Sequence, residues 1–200
     1  MNSGASGRFD ELVRSVGIGQ GRALPAVESW NPPDCGEIDI VIDREGVWHH
    51  EGRPIRRPAL VRLFASVLRR EGARHVLVTP AEKLGITVED APFLAVEMAV
   101  EPGEGEPCLV FRTNLDDLVR CDRDHPLRVE TRADGEPRPY LYVRRGLWAR
   151  LTRAAFLDLA ERAEARVVDG RAVFGVASGG AFFALAPAGT VQAVTVEEER

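Results

Sequence analysis

Lys83 is a residue whose type suggests chemistry, because it is the only lysine among the 26 basic residues of the sequence. The ammonium of lysine is a compact point charge, whereas the guanidinium of arginine is a planar fork. A single lysine in an arginine-rich chain therefore indicates a position that requires the compact cation. The codon usage of a GC-rich genome would give the same composition without such a requirement, and both interpretations stay open.

Arg56 and Arg57 are a second such feature, because they precede the clearest helical pattern of the chain, which Pro58 opens. Serine, threonine, aspartate and asparagine are preferred at a helix N-cap, and a cation there is unfavourable by about 0.3–1 kcal/mol. A bound phosphate or carboxylate would reverse the sign, since helix amides and guanidinium forks both bind anions. The alternative is that both side chains turn away toward Glu51 or solvent.

The histidines and the one serine-glycine turn do not form a recognised catalytic or metal-binding pattern. His49 and His50 are adjacent and would point to opposite faces of a strand, and His75 and His125 have no cysteine or carboxylate at ligand spacing. Ser178 lacks the first glycine of a nucleophile elbow, so we expect it to lie in a tight turn between strands. The sequence therefore predicts no metal site, no cofactor and no nucleophile.

Glu82, Glu89 and Asp90 are the remaining acid–base candidates, and they flank one predicted strand together with Lys83. Paired carboxylates can exchange protons with a substrate, but Glu89 and Asp90 diverge if they lie in a strand. No nucleophile or metal set accompanies them in the sequence. We favour a solvated or salt-bridged role, with a hydrolase that uses Glu82 or Asp90 as its base as the alternative.

Composition narrows the class of protein further. The 200 residues carry a net charge of −5, which argues against a nucleic-acid-binding protein. No apolar run is long enough to span a membrane, and the first residues lack the apolar core of a signal peptide. The three cysteines, Cys35, Cys108 and Cys121, are widely spaced. This is typical of reduced thiols, so we expect a cytoplasmic protein with no membrane span and no disulfide.

Helices and strands at regular intervals would position these residues. Apolar spacing predicts helices near 8–16, at 57–71 with Leu60, Leu63, Phe64, Val67 and Leu68 inward, and at 152–165 with Phe156, Leu159, Ala160 and Ala163 inward. Alternation predicts a hairpin at 37–50 after an extended connector at 22–36. Further strands are predicted at 76–78, 85–89, 93–100, 108–112, 117–121, 127–132, 139–149, 171–177 and 181–186.

The order of these elements repeats along the chain. A shift of 96 residues aligns Leu60, Leu63 and Val67 with Phe156, Leu159 and Ala163, and a shift of 100 aligns Gly46-Val47-Trp48 with Gly146-Leu147-Trp148. Two copies indicate a duplicated core and not a solenoid, which needs three or more repeats. The sequence therefore predicts an α+β fold with a duplicated strand–helix–strand core. The predicted divisions are a tail and short helix at 1–21, an N-terminal unit at 22–92, a C-terminal unit at 93–189 and a tail at 190–200.

Short motifs between residues 33 and 186 resemble one bacterial protein family. They are Cys35-Gly36-Glu37-Ile38-Asp39-Ile40, Gly46-Val47-Trp48, Leu63-Phe64-Ala65-Ser66-Val67-Leu68, Leu77-Val78-Thr79-Pro80-Ala81-Glu82-Lys83, Val88-Glu89-Asp90-Ala91-Pro92-Phe93, Phe111-Arg112-Thr113-Asn114, His125-Pro126-Leu127-Arg128, Gly146-Leu147-Trp148-Ala149-Arg150-Leu151 and Ser178-Gly179-Gly180-Ala181-Phe182-Phe183. In this combination the chain resembles the family named domain of unknown function twelve eighty-five.

The resemblance implies a fold and a kind of site. It implies a second half similar to a pleckstrin-homology-like barrel with a capping helix, and a cleft between the halves for a nucleotide-like molecule. The motif residues that we assign to such a cleft are Thr79, Glu82, Lys83, Asp90, Phe93, Arg145 and Arg150, and the helix start adds Arg57.

These expectations combine into one predicted function and two alternatives. The prediction is a non-catalytic sensor in bacterial signalling that binds a small, nucleotide-like anion. The alternatives are the hydrolase with Glu82 or Asp90 as base and an adaptor that binds a protein partner.

Overall fold

The computed structural model describes residues 24–102, 107–131 and 135–187, which fold mainly into strands. The strands are β1 (Asp34–Ile42), β2 (Trp48–His50), β3 (Arg53–Pro54), β4 (Leu68–Glu71), β5 (Arg74–Val78), β6 (Lys83–Val88), β7 (Phe93–Glu101), β8 (Cys108–Thr113), β9 (Leu118–Arg120), β10 (Leu127–Thr131), β11 (Pro137–Arg144), β12 (Leu147–Leu151), β13 (Glu164–Val168), β14 (Arg171–Ser178) and β15 (Ala181–Pro187). The helices are α1 (Pro58–Val67) and α2 (Arg153–Ala160). The presence of these strands and helices confirms the predicted α+β class. The helix predicted at 8–16 and both tails lie outside the described residues.

The first sheet has the order β3-β2-β1-β6-β5-β4. The predicted hairpin at 37–50 is confirmed, since β1 pairs antiparallel with β2 and places Ile42 opposite Trp48. On its other side β1 pairs in parallel with β6. Ile40 and Ile42 are fully buried, and the ring of Trp48 stacks on that of Phe64 in α1 with 6.2 Å between centroids. The alternating isoleucines thus form the face on which α1 packs.

The helix predicted at 57–71 is too long. It ends at Val67, and Leu68 adopts the extended angles φ −75° and ψ 137° at the start of β4. Leu68 is fully buried opposite Leu77 of β5, so an apolar residue at this position satisfies a strand as well as a helical stripe. Arg69 and Arg70 therefore lie on a strand and not in the last turn of a helix.

Two further predictions for the second half also need correction. The strand expected at 139–149 is the hairpin of β11 and β12, with its turn at Arg145-Gly146. The helix expected at 152–165 ends at Ala160, and its buried residues are Ala155 and Leu159, whereas Ala160 is exposed.

The predicted connector at 22–36 likewise contains a 3-10 turn at Val27–Ser29 and the beginning of β1.

The second sheet has the order β10-β11-β12-β7-β8-β9, and the third has the order β13-β14-β15. The strands predicted at 93–100 and 108–112 are confirmed as β7 and β8, which pair with each other in an antiparallel ladder. The duplicated order of elements is present, because three strands, a helix and three strands occur in β1 to β6 and again in β10 to β15. Sheet membership is not duplicated, since β4–β6 join the sheet of β1–β3 whereas β13–β15 form a sheet of their own.

The chain divides into two compact units. The first is Met1–Leu94 with Tyr142–Ala149, and the second is Ala95–Leu141 with Arg150–Arg200. The predicted division at 92 and 93, and the likeness of the second half to a pleckstrin-homology-like barrel, stay predictions. Among the described residues, no helix has the length and apolar character needed to cross a membrane.

Candidate functional site

Two arginines of the first unit hold the segment before β1 by its backbone carbonyls. We call residues 25–33 the strap. Arg69 of β4 donates from Nη1 to the carbonyls of Val27 at 2.6 Å and Trp30 at 2.9 Å. Arg145 donates from Nη2 to the carbonyl of Pro25. The strap is thus fixed by charged donors, and its residue Val27 is fully buried.

Arg145 occupies an unusual backbone position for an arginine. It is the first residue of the two-residue turn between β11 and β12, with φ +53°, and Gly146 follows with φ +74°. Asparagine, aspartate and glycine are preferred there, since both positions need positive φ. The Arg145 side chain is only 7% exposed, and it donates from Nε to Glu28 at 2.6 Å and from Nη1 to the Ser66 carbonyl at 2.7 Å. Strained backbone of this kind persists where the surrounding contacts determine it.

Lys83 belongs to a second set of charged contacts on the same unit. Its Nζ donates to Oε2 of Glu71 at 2.8 Å, and Nε of Arg69 donates to Oε1 of Glu71 at 2.8 Å. The side chains of Lys83 and Arg69 are 14% and 13% exposed. The hydrogen bond from Lys83, and then that from Arg69, lowers the pKa of Glu71 although burial acts in the opposite direction.

Glu28 lies on the strap between Pro25, whose carbonyl Arg145 holds, and Trp30, whose carbonyl Arg69 holds. Burial alone would raise the pKa of Glu28, but the opposing effects of its backbone hydrogen bond, of Arg145 and of Arg69 lower it. We define Glu28, Arg69, Glu71, Lys83 and Arg145 as the strap cluster. It contains three cations and two carboxylates, and the Glu28 side chain is 62% exposed. Asp34 lies opposite Lys83 on the paired strand β1, so the charges around the cluster are close to balanced. Glu28 is its more exposed carboxylate and the one that another anion could replace.

The predicted residues Thr79 and Glu82 lie in the turn between β5 and β6, directly before Lys83. Thr79 is fully buried, and its hydroxyl accepts hydrogen bonds from the amides of Ala81 at 3.2 Å and Glu82 at 3.1 Å. The side chain of Thr79 thus shapes the turn from which β6 begins. Glu82 is half-buried in the same turn.

The other predicted site residues are distributed over the chain. Phe93 is fully buried, with the guanidinium of Arg144 at 4.9 Å from its ring centroid. Asp90 is half-buried before β7, Arg57 is exposed at the N-cap of α1 and makes no capping hydrogen bond, and Arg150 is half-buried on β12. Of the eight predicted residues, Lys83 and Arg145 therefore belong to the strap cluster.

Sequence reasoning missed the other members of the cluster, Glu28, Arg69 and Glu71. The helix predicted at 57–71 includes Arg69 and Glu71 in its last turn, which hides their position on a strand. The signal that could have corrected this is Glu71-Gly72-Ala73-Arg74, in which Gly72 with φ +58° turns β4 into β5. Glu28 had no signal, because its contact with Arg145 joins residues that are distant in sequence.

Ser178 is the last residue of β14, directly before the predicted tight turn, which Gly179 and Gly180 form, and it has a structural role in the second unit. Its hydroxyl donates to the Cys121 carbonyl at 2.6 Å and accepts from the Leu109 amide at 2.8 Å. All three cysteines are free, and burial raises the pKa of Cys121 to about 12. Among the described residues, no group of three histidine, cysteine or acidic side chains could hold a metal ion.

Comparison with known proteins gives one consistent result. Residues 25–91 match the profile described as domain of unknown function (DUF1285), N-terminal domain. Residues 92–185 match that described as protein of unknown function (DUF1285), C-terminal domain. The search of functionally curated proteins gave no match.

Two solved structures are similar to the chain. A DUF1285 family protein from Silicibacter pomeroyi DSS-3 is 41% identical, with a TM-score of 0.79 over 89% of this chain and 96% of that one. A DUF1285 family protein from Shewanella baltica OS155 is 29% identical, with a TM-score of 0.51 over 62% of this chain and 91% of that one. The similarity to the first of these proteins extends over most of this chain, and that to the second over a smaller part.

Proposed function

Because the chain belongs to the DUF1285 family, whose domains are described as being of unknown function, we propose its function from its own residues. It is a non-catalytic sensor that binds a small, nucleotide-like anion and passes the bound state to a signalling partner in the cytoplasm. The ligand's phosphate binds at the strap cluster, where Arg145 and Arg69 receive it and Lys83 adds a third cation.

One observation carries this proposal: Arg145 is nearly buried, yet the carboxylate paired with it is exposed. A guanidinium with so little exposure favours an anionic partner, because a buried charge without one destabilises the fold. Glu28 supplies that partner from a short 3-10 turn, and its side chain is accessible to solvent. A phosphate offers more charge and more acceptor oxygens than a carboxylate. A bound phosphate would therefore displace the Glu28 carboxylate from the Arg145 guanidinium.

Arg69 and Lys83 extend the site beyond Arg145. Arg69 holds the carbonyls of Val27 and Trp30, which flank Glu28 in the strap, and Lys83 shares the carboxylate of Glu71 with Arg69. Charge-assisted hydrogen bonds contribute about 1.5–3 kcal/mol each. Three further residues predicted from the sequence are exposed or half-buried in the first unit and are candidate contacts for the rest of the ligand. They are Arg57, Glu82 and Asp90.

Calorimetric titration of the full chain with adenosine monophosphate and with inorganic phosphate tests the proposal. We expect Lys83→Ala to weaken binding by about ten- to a hundredfold. It should also lower stability modestly, because Glu71 loses one of its two cationic partners but keeps Arg69. Arg145→Asn, which keeps a residue suited to the turn, should abolish the binding. The matched control is Arg153→Gln, an exposed arginine at the start of α2, which should bind as the wild type does. Equal affinities of wild type and Lys83→Ala would remove the site from consideration.

The same titrations separate the two alternatives. Release of phosphate from adenosine monophosphate, abolished in Glu82→Gln or Asp90→Asn, would replace the sensor by the hydrolase. Absence of binding with every anionic probe would favour an adaptor that binds protein.

A further inference from the structure

β13 is an edge strand of the second unit with a hydrogen-bonded neighbour on one side. It pairs with β14, and the third sheet ends there in the part of the chain that the structure describes. All five residues of β13 are exposed, and Val167 retains 74% of its accessible surface. An edge with free backbone groups and exposed valines is a template for pairing with another strand.

The turn between β13 and β14 determines which backbone groups of β13 face outward. Asp169 and Gly170 form a two-residue turn with φ +50° and +74°, and Val168 lies opposite Arg171. In a hairpin with such a turn, the flanking pair is hydrogen-bonded and the pairs then alternate. Val168, Arg166 and Glu164 therefore bond to β14. The N–H and C=O groups of Ala165 and Val167 point away from the sheet.

The charges of β13 are complementary to those of its own sequence in one antiparallel register. If two copies of β13 pair about Ala165, Glu164 of one copy lies opposite Arg166 of the second copy, and the reverse pair forms as well. Opposite charges at facing positions stabilise a ladder, and like charges destabilise it. Two neighbouring registers also bring outward groups together. The register about Arg166 places Arg166 opposite Arg166 of the second copy, which is a like-charge pair, and the register about Val167 places Arg166 opposite Val168 and forms no charge pair.

We propose that β13 pairs antiparallel with β13 of a second copy of this chain, about a twofold axis at Ala165. This pairing joins two three-stranded sheets into one of six strands and is independent of the proposed anion site. Two main-chain hydrogen bonds join the Ala165 residues, and two more run from Val167 N–H groups to Ala163 carbonyls. The Ala163 N–H does not contribute, because it already bonds to the Ala160 carbonyl at 3.0 Å.

The intrachain contacts of β13 hold its charged side chains ready for this pairing. Arg166 and Glu164 form an ion pair at 2.6 Å, and the Arg166 guanidinium lies 4.7 Å from the ring centroid of Phe182 on β15. In the dimer each carboxylate gains a second arginine. A ladder of five residues is short compared with stable interfaces, which bury about 1,200–2,000 Å². We therefore expect a dimer that forms and dissociates with protein concentration.

Sedimentation velocity of the full chain over a wide range of concentration is the first test. The wild type should shift from monomer to dimer, and Ala165→Pro should weaken dimerisation by at least about tenfold. Proline removes the outward N–H of Ala165 and leaves the bonds to β14 in place, as on natural edge strands. Ala165→Val, which keeps the N–H, should dimerise as the wild type does. A monomer at every concentration, or a dimer that persists in Ala165→Pro, would overturn the proposal.

A charge exchange provides a second test that does not depend on proline. Glu164→Arg and Arg166→Glu each place like charges opposite one another in the dimer and should weaken it. The double variant Glu164→Arg/Arg166→Glu restores opposite charges and should recover dimerisation. Leu118→Lys on β9, an exposed apolar residue of another edge strand, is the control and should leave the dimer intact. Failure of the double variant to recover contradicts the register about Ala165.

Discussion

Some residues adopt a backbone conformation that is unfavourable by itself, and contacts with the rest of the molecule compensate for it. Arg145 adopts a positive φ that costs free energy for a residue with a side chain, and its guanidinium gives donors to Pro25, Ser66 and Glu28 in return. Glu51 has a similar φ of +49° at the first position of another turn and is exposed. A positive φ alone is therefore not a sign of function. Arg145 differs from Glu51 because its charged side chain is buried.

His75 should make the folding stability depend on pH. Burial, and then the charge of Arg70 on the neighbouring strand, lowers the pKa of His75 to about 4. Below about pH 6.5 the unfolded chain therefore binds a proton that the folded chain does not, and stability falls as the pH falls toward 4. We expect a loss of about 1–2 kcal/mol between pH 7.5 and 5, measured by urea unfolding.

The variant His75→Gln should lack this loss, since it has no titrating group at that position. His125→Gln is the matched control, because His125 lies beside Asp122 in a more exposed place, and it should retain the drop. If wild type and His75→Gln lose the same stability at pH 5, the burial of a neutral His75 is not the cause.

At the scale of elements, alternation and turn residues were the reliable signals. The hairpins at 37–50 and between β7 and β8 were predictable, because alternating apolar residues flank turn-forming residues in both. The ends of the helices were not predictable, because Leu68 is buried whether it ends a helix or begins a strand. For the same reason the helix predicted at 152–165 included the first residues of β13, and that strand was not predicted. The spacing of apolar residues therefore predicts which residues are buried better than it predicts whether they lie in a helix or in a strand.

The packing of β14 against β15 leads to a prediction about one glycine. A Cβ on Gly175 would overlap the backbone carbonyl of Phe183 and lie 2.6 Å from the Phe182 ring. Since the carbonyl belongs to the paired strand, the overlap can only be relieved by moving the ladder. We expect Gly175→Ala to destabilise the protein by about 1–3 kcal/mol in urea unfolding.

Gly85→Ala is the matched control for this substitution. Gly85 also lies in a strand, but there the Cβ would meet the carboxylate of Glu37, the far end of an exposed and flexible side chain. The carboxylate can swing away, so the change should be within about 0.5 kcal/mol. Equal effects of the two substitutions would mean that the third sheet adapts as easily as a surface side chain.

At the scale of the whole molecule, the sequence predicted the order of the elements and part of the candidate site. Lys83 and Arg145 were identified, the first because it is the only lysine and both by the resemblance, and each holds one carboxylate of the strap cluster. Their partners could not be predicted, because Glu28 and Arg145 are 117 positions apart. Such contacts arise from tertiary packing and leave no local pattern.

The strap cluster links stability to the proposed ligand, which gives a prediction for Glu28→Gln. Removing this carboxylate leaves Arg145 without its anionic partner, so the unliganded variant should be less stable by on the order of 1 kcal/mol, a value that solvent screening keeps small. The same removal eliminates the competitor for an incoming phosphate. The variant should therefore bind adenosine monophosphate more tightly than the wild type, and its stability should rise more steeply with ligand concentration.

Thermal unfolding with increasing adenosine monophosphate measures both effects in one experiment. Glu37→Gln is the matched control, since Glu37 is also an exposed carboxylate paired with an arginine, Arg74, on the first sheet. It should lower stability slightly and leave the response to ligand unchanged. If Glu28→Gln loses stability but binds no more tightly than the wild type, then Glu28 does not compete with the ligand. In that case the strap cluster is a structural clamp, and the anion site must lie elsewhere on the chain.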